Sequence, residues 1–247
     1  MRHLLSAMPR HRVPPPPRAG AAGRGPWPAL LLGLLTPLAG CAVAPEAAAT
    51  RVGLALLRAG PGPGCIHTGA AVHVGRQRFL TAAHLVDGTQ PLPHGCARGG
   101  IPSWVRLAGR ELPAELMRAG QADLEAGTGA FYVGGRDVAL LRAAPLPPGT
   151  PALRLCPDPP RAGQTVEVVT PRRVARSEIA GIVRESSPLH GSYAELPLRL
   201  EPGESGGAVI DTRLSCLLGL VSHREEREGR TRTRIVPSPV LRAFIGE

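Results

Sequence analysis

The chain has 247 residues, 43% of them hydrophobic but only 3% aromatic, so an aliphatic core is available and wholesale disorder is excluded. Gly 31 and Pro 28 speak for many turns and short strands and against a helical bundle. The formal charge of +10 rests entirely on arginine, since the sequence has no Lys. Half of it lies in the first 40 residues, as Arg2, Arg10, Arg12, Arg18 and Arg24. The remaining charges alternate in sign, as in Arg224–Arg230, and are not interleaved with aromatics, which argues against a nucleic-acid partner.

In chain order, residues 1–26 are basic and Pro-rich, and an apolar run follows from Pro28 to Leu38. The run has the length of a signal-peptide core and is too short to span a bilayer comfortably. It ends in Leu38-Ala39-Gly40-Cys41, which resembles the bacterial lipobox. The expectation is a lipoprotein-type signal over 1–40, a lipid on Cys41 and a tether over 41–51. Met8 is an alternative start, and an ordinary secretory signal or an uncleaved anchor is the rival reading. The implied location is outside the cytoplasm, on a bacterial cell envelope, and at the outer membrane in a Gram-negative host, because Ala42 and not Asp follows the cysteine. The lipid anchor is the expected membrane contact.

From residue 52 the pattern is β-like. Apolar or alternating runs fall at Val52–Leu57, Ala70–Val74, Gln77–Thr81, Val105–Leu116 with a bend at Gly109, Asp137–Leu141, Thr165–Val169, Ile179–Val183, Leu196–Leu200, Ala208–Ile210 and Leu217–Val221. Strands at this spacing imply a sandwich or barrels. Pro239–Ile245 reads as a short terminal helix, and the Pro-rich stretch Pro145–Pro151 divides the body into halves, 52–145 and 146–247. Cys65, Cys96, Cys156 and Cys216 form an even set, so an exported chain would hold two disulfides with three possible connectivities. A rival zinc site would use Cys65, His67, His94 and Cys96, at spacings tighter than usual zinc knuckles.

Three segments carry chemistry. Leu80-Thr81-Ala82-Ala83-His84 runs a strand into a histidine, Asp137-Val138-Ala139-Leu140-Leu141 leads an acid into an apolar strand, and Pro202-Gly203-Glu204-Ser205-Gly206-Gly207-Ala208 sets a serine in a Gly-rich turn. A serine hydroxyl needs a base, histidine titrates in the useful range, and a carboxylate on its far nitrogen fixes the tautomer. Asp123 is the other acid at a suitable position, but no apolar strand follows it.

These segments resemble the three signatures of the trypsin-like (chymotrypsin-fold) serine proteases, in the family's order and at spacings of 53 and 68 residues. The short second spacing is similar to that of compact bacterial members. The resemblance spans about 52–247. It implies an all-β fold of two six-stranded antiparallel β-barrels with the site in the cleft between them and a short C-terminal helix. It also implies a serine endopeptidase acting on polypeptides without metal or organic cofactor. Ser205 would be the nucleophile, His84 the general base and acid, and Asp137 the orienting carboxylate. The N–H groups of Gly203 and Ser205 would form the oxyanion hole. Ser222, in Gly219-Leu-Val-Ser222, would support Asp137 and line the primary pocket with Arg199, His223 and Arg224.

The sequence departs from the family at several points. Leu85 stands where a cysteine often follows the histidine, so the resemblance implies Cys65–Cys96 and Cys156–Cys216 as pairs. Glu204 replaces the aspartate that pairs with a freed N-terminal amine in zymogens, and no matching activation start is visible, so zymogen activation is not expected. Acidic P1 residues would be favoured if Arg199 or Arg224 points inward, and a small apolar pocket results if both face solvent. The alternative to an enzyme is an inactive member of the fold serving as an envelope binding or scaffold lipoprotein.

Overall fold

The computed structural model describes residues 45–89, 96, 101–120, 123–125, 129–132, 135–184, 192–227 and 229–247. The signal segment 1–40, Cys41 and His94 lie outside the described residues. β1 (Leu54–Gly62), β2 (Cys65–His73), β3 (Arg78–Thr81), β4 (Ser103–Leu107), β5 (Arg110–Ala119) and β8 (Ala139–Ala143) close into a barrel in the order β1-β2-β3-β8-β5-β4. β6 (Asp123–Glu125) and β7 (Gly129–Phe131) form a separate ribbon. The barrel interior holds Ala55, Leu57, Ala59, Ala71, Phe79, Val105 and Leu141, with Phe79 its one phenylalanine among the buried set. Alternation of buried and half-buried positions along a strand, as at Val105, is the pattern a one-sided sheet demands.

The second half is a seven-stranded antiparallel sheet. It comprises β9 (Thr165–Val169), β10 (Val174–Glu178), β11 (Gly181–Arg184), β12 (Ser192–Leu196), β13 (Ala208–Asp211), β14 (Cys216–Arg227) and β15 (Arg230–Pro237). The order is β10-β9-β13-β14-β15-β12-β11, and the sheet curls as a half-barrel where a second six-stranded barrel was expected. Its interior holds Val166, Val168, Leu196, Val209, Leu218 and Ile235. A third cluster joins the halves: Ala70, Val72 and Leu80 from the first meet Val169, Ala208, Leu220 and Val236 from the second.

Four elements differ from the sequence expectation. Residues 45–51, read as tether, form helix α1 (Pro45–Arg51), whose Ala48 is buried in the joining cluster. The run Leu196–Leu200 stops pairing at Leu196, because Pro197 has no N–H to give a ladder. Strands β10 and β15 lie on Arg-rich stretches whose polar faces hide the alternation. The terminal helix α2 (Ser238–Ile245) begins on a proline in its first turn and ends at left-handed Gly246.

Cys65 pairs with Cys96, and Cys156 with Cys216, across 31 and 60 residues of chain. The first pair uses both thiols that a zinc site would have needed. The second lies fully buried among Val166, Leu218 and Ile235. Replacing Cys156 and Cys216 together by alanine is expected to lower the unfolding free energy by about 4 kcal/mol, read by denaturant titration, from the closed-loop entropy alone. The Cys65/Cys96 double variant should lose less, since its closed loop is shorter, 31 residues against 60.

Candidate active site

The register of β3 against β8 brings the histidine and the aspartate together. Thr81 stands opposite Ala139 in this antiparallel pair. Continuing past Thr81 leads to His84, and stepping back from Ala139 leads to Asp137, at the same end of the barrel. Ala82 and Ala83 are fully buried, so only small residues fit between the strand and the 3-10 turn Ala83–Leu85 that presents the imidazole.

Asp137 is buried, and three donors meet its carboxylate. His84 Nδ1–H donates to Oδ2 at 2.8 Å, the His84 backbone N–H donates to Oδ1 at 3.0 Å, and Ser222 Oγ donates to Oδ2 at 2.5 Å. Ser222 comes from β14, so this carboxylate joins the two halves of the fold. With its proton committed to Asp137, Ser222 Oγ accepts Nδ1–H of His223 at 2.8 Å. Desolvation of its inner edge, helped by the nearby Arg234 and His84, pushes His223 below its ordinary value although the residue as a whole is exposed, in keeping with a neutral ring. Tyr193 braces the same region: its ring meets His223 edge-on at 5.3 Å and its hydroxyl donates to the Tyr132 carbonyl at 2.8 Å.

Charge and hydrogen bonding here overcome desolvation. Burial alone would lower the His84 pKa, but the charge and hydrogen bond of Asp137 raise it above 6.5. Burial would raise that of Asp137, yet His84 and Ser222 hold it below the usual carboxylate range. A carboxylate bonded to Nδ1–H leaves Nε2 as the basic nitrogen of the neutral ring.

The serine arrives from the other half. Ser205 precedes β13 in a turn pinned by Gly206 N–H to the Val221 carbonyl at 2.8 Å and by Val221 N–H to the Gly207 carbonyl at 2.9 Å. Its own carbonyl accepts the N–H of Ala70, on β2, at 2.8 Å. Gly206 has φ +80°, and a Cβ there would lie 1.9 Å from the Ala70 carbonyl oxygen, so no other residue fits. Gly203 also takes a left-handed φ of +90°.

Ser205, His84, Gly203, Ser222, His223 and Arg224 line one cleft of about 510 Å³, with Asp137 behind it. Arg199 does not line it. Its side chain is 61% exposed and donates to Glu201, on the cleft wall, at 3.0 Å. Arg224 does line the cleft, but it also pairs with Glu201, at 3.3 Å. Arg172 on the wall and Arg173 beneath the turn escaped the sequence reading. Both lie in the turn between β9 and β10, whose sequence carries no spacing cue that would relate it to Ser205.

A closed barrel and a curled sheet sharing such a cleft define the trypsin-like protease fold. Residues 68–220 match the trypsin-like peptidase domain, and the chain belongs to that family. Among solved structures, the active form of the Rv3671c protease from M. tuberculosis is 21% identical, with a TM-score of 0.58 over 82% of this chain and 83% of that one. The HtrA-type protease AlgW with a tripeptide is 19% identical, with a TM-score of 0.57 over 82% and 62% of the two chains. A serine endoprotease from Yersinia pestis is 16% identical, with a TM-score of 0.55 over 82% and 64%. This chain thus spans less than two thirds of the last two, and at these identities the likeness is one of fold. No curated protein matches the sequence.

Hydrolysis that needs neutral His84 should fall as pH drops through a midpoint above 6.5, because Asp137 stabilises the protonated ring. Asp137→Asn removes that stabilisation. It should move the acid limb of kcat/KM to lower pH and cut kcat by about 10⁴. A pH–rate profile of both proteins checks each shift.

Proposed function

We propose that the protein is a serine endopeptidase that cleaves polypeptides through an acyl-enzyme on Ser205. The observation that carries this reading is the doubly held Asp137–His84 pair, with His84 and Ser205 facing one cleft. In the first step Ser205 Oγ attacks the scissile carbonyl carbon and its proton passes to His84 Nε2. The imidazolium so formed is stabilised by Asp137, which stays ionised. The carbonyl oxygen gains the negative charge and is met by the N–H groups of Gly203 and Ser205. Collapse expels the amine, which takes the proton from His84. Water then repeats the sequence on the ester and frees Ser205.

The pocket chemistry favours an uncharged P1 side chain. Leu200, Pro202, Val221 and Thr233 contribute apolar and neutral surface to the cleft. Arg224 on the wall is already engaged by Glu201, a carboxylate that the exposed Arg199 also meets. With Arg172 on the same wall, the cleft repels a cationic P1 residue, and an acidic one would give up its hydration to compete with Glu201 for Arg224.

Export is part of the proposal. Two disulfides suit an oxidising compartment, and the apolar run before Cys41 supports delivery as an envelope lipoprotein held by its acyl chains. Metabolic labelling with a palmitate analogue should mark the parent and spare Cys41→Ser.

A fluorogenic peptide library varied at P1 tests the activity. Cleavage should be fastest after Ala, Val or Leu and absent from Ser205→Ala. Preference for Lys or Arg would contradict the pocket reading, and cleavage undiminished by Ser205→Ala would contradict the mechanism.

A further inference from the structure

We propose that Arg172 and Thr68 form a carboxylate-recognition site on the leaving-group side of the cleft, which selects substrates with an acidic group one or two residues past the scissile bond. This rests on the peptidase reading above and names the substrate feature that the far end of its cleft takes.

The turn that presents Ser205 is held from two sides. On one side β2 gives the Ala70 N–H to the Ser205 carbonyl at 2.8 Å, and on the other the Val221 carbonyl of β14 takes the Gly206 N–H at 2.8 Å. Val221 and Thr233, of the proposed P1 surface, lie on β14 and β15. A substrate whose P1 side chain rests there and whose carbonyl reaches Ser205 must carry its leaving segment toward β2. At that end the cleft is lined by His67 and Thr68, from β2, and by Arg172.

Gly203 lies between these two groups of residues. The point where a Cβ on Gly203 would sit is 3.6 Å from Arg172 Nη2 and 3.6 Å from Thr68 Oγ1. Glycine leaves that point open, so one incoming carboxylate can meet the guanidinium and the hydroxyl together. A forked N–H donor beside an O–H donor matches a carboxylate in shape as well as in charge.

The neighbouring cations are already engaged, Arg173 by Glu204 and Arg224 by Glu201. Among the described residues no acid pairs with Arg172. Its backbone, by contrast, is fixed. Pro171 and Arg172 alone separate Thr170 from Arg173, the Thr170 N–H bonds the Arg173 carbonyl at 2.9 Å, and Thr170 Oγ1 accepts the N–H groups of Arg172 at 3.3 Å and Arg173 at 3.1 Å. The proline ring locks its own φ in the same turn. A cation carried on so short and tied a turn loses little backbone freedom when it captures a ligand.

Arg172 is exposed, so its pair with a substrate acid stays partly in water, is worth a modest factor and weakens with salt. The acid sits away from the reacting atoms and is held alike in the ground and transition states. Its effect should therefore fall on KM. A cation that acted on the oxyanion itself would instead change kcat, whatever the leaving residue.

The test uses internally quenched peptides that differ only in Glu, Gln or Lys at P1′ or P2′, and a pair ending at P2′ as free acid or amide. Parent, Arg172→Ala, Arg172→Glu and Thr68→Val are compared, with circular dichroism as a check on folding. At low salt the parent should favour an acid over its neutral match by about five-fold in kcat/KM, chiefly through KM, and the preference should shrink in about 0.5 M salt. Arg172→Ala should bring that ratio near one, Arg172→Glu should favour Lys over Glu, and Thr68→Val should lower the ratio in part. Preference for internal Glu assigns the site to a side-chain carboxylate, and preference for free acid over amide assigns it to a chain end. If the parent cleaves all these peptides alike, or if folded Arg172→Ala and Arg172→Glu keep the parental ratio, the inference is overturned while the peptidase reading stands. A folded parent that cleaves no peptide overturns that reading and the inference with it.

Discussion

One buried carboxylate organises this molecule. Asp137 sits between two halves of the chain and takes its hydrogen bonds from both, the ring and backbone of His84 on one side and the hydroxyl of Ser222 on the other. Any relative slip of the halves would strip a donor from a charge that has no water to replace it, and unpaired buried charge is among the costliest defects a protein can carry. The packing between the halves serves that requirement. Aliphatic residues fill the seam, and the Ala70 N–H to Ser205 carbonyl bond fastens the serine turn to the first barrel. The geometry of the proposed site and the stability of the fold thus draw on the same contacts.

Another buried carboxylate, Glu204, shows the same logic at closer range. Its partners come from a turn 31 or more residues away and from the backbone of its own loop. Around Ser205 the structure spends polar groups on shape: glycine where a side chain would collide with Ala70, a carboxylate where a loop must be closed, an arginine where that carboxylate must stay charged. On the cleft wall Arg224 is engaged by Glu201, and Arg172 lies on the same wall beside the apolar lining.

Much of this was legible in the sequence because the chemistry is local. His84, Asp137 and Ser205 each stand in a segment whose neighbours betray the role: small alanines before the histidine, an apolar strand after the aspartate, glycines about the serine. The strands at Thr165–Val169 and Ala208–Asp211 are apolar enough to read directly. What escaped depends on partners distant in sequence. Strand β15 looks polar because Arg234 lies over Tyr193 and pairs with Glu225 and Glu195, interactions that only the fold creates. Helix α1 consists of small residues without amphipathic pattern, and it is buried through Ala48 against the seam. Arg199 was assigned to the pocket by the resemblance, which cannot say which way a loop side chain turns, and in the structure it lies largely exposed on Glu201. Arg173 had no motif to mark it.

The account stands on an activated serine at position 205, and one measurement addresses that directly. The folded, oxidised protein is exposed to a fluorophosphonate, and the modified peptide is mapped by mass spectrometry. The account predicts stoichiometric modification of Ser205, lost when His84 is replaced by alanine. A folded sample that stays unmodified, or one that reacts equally without His84, would contradict it.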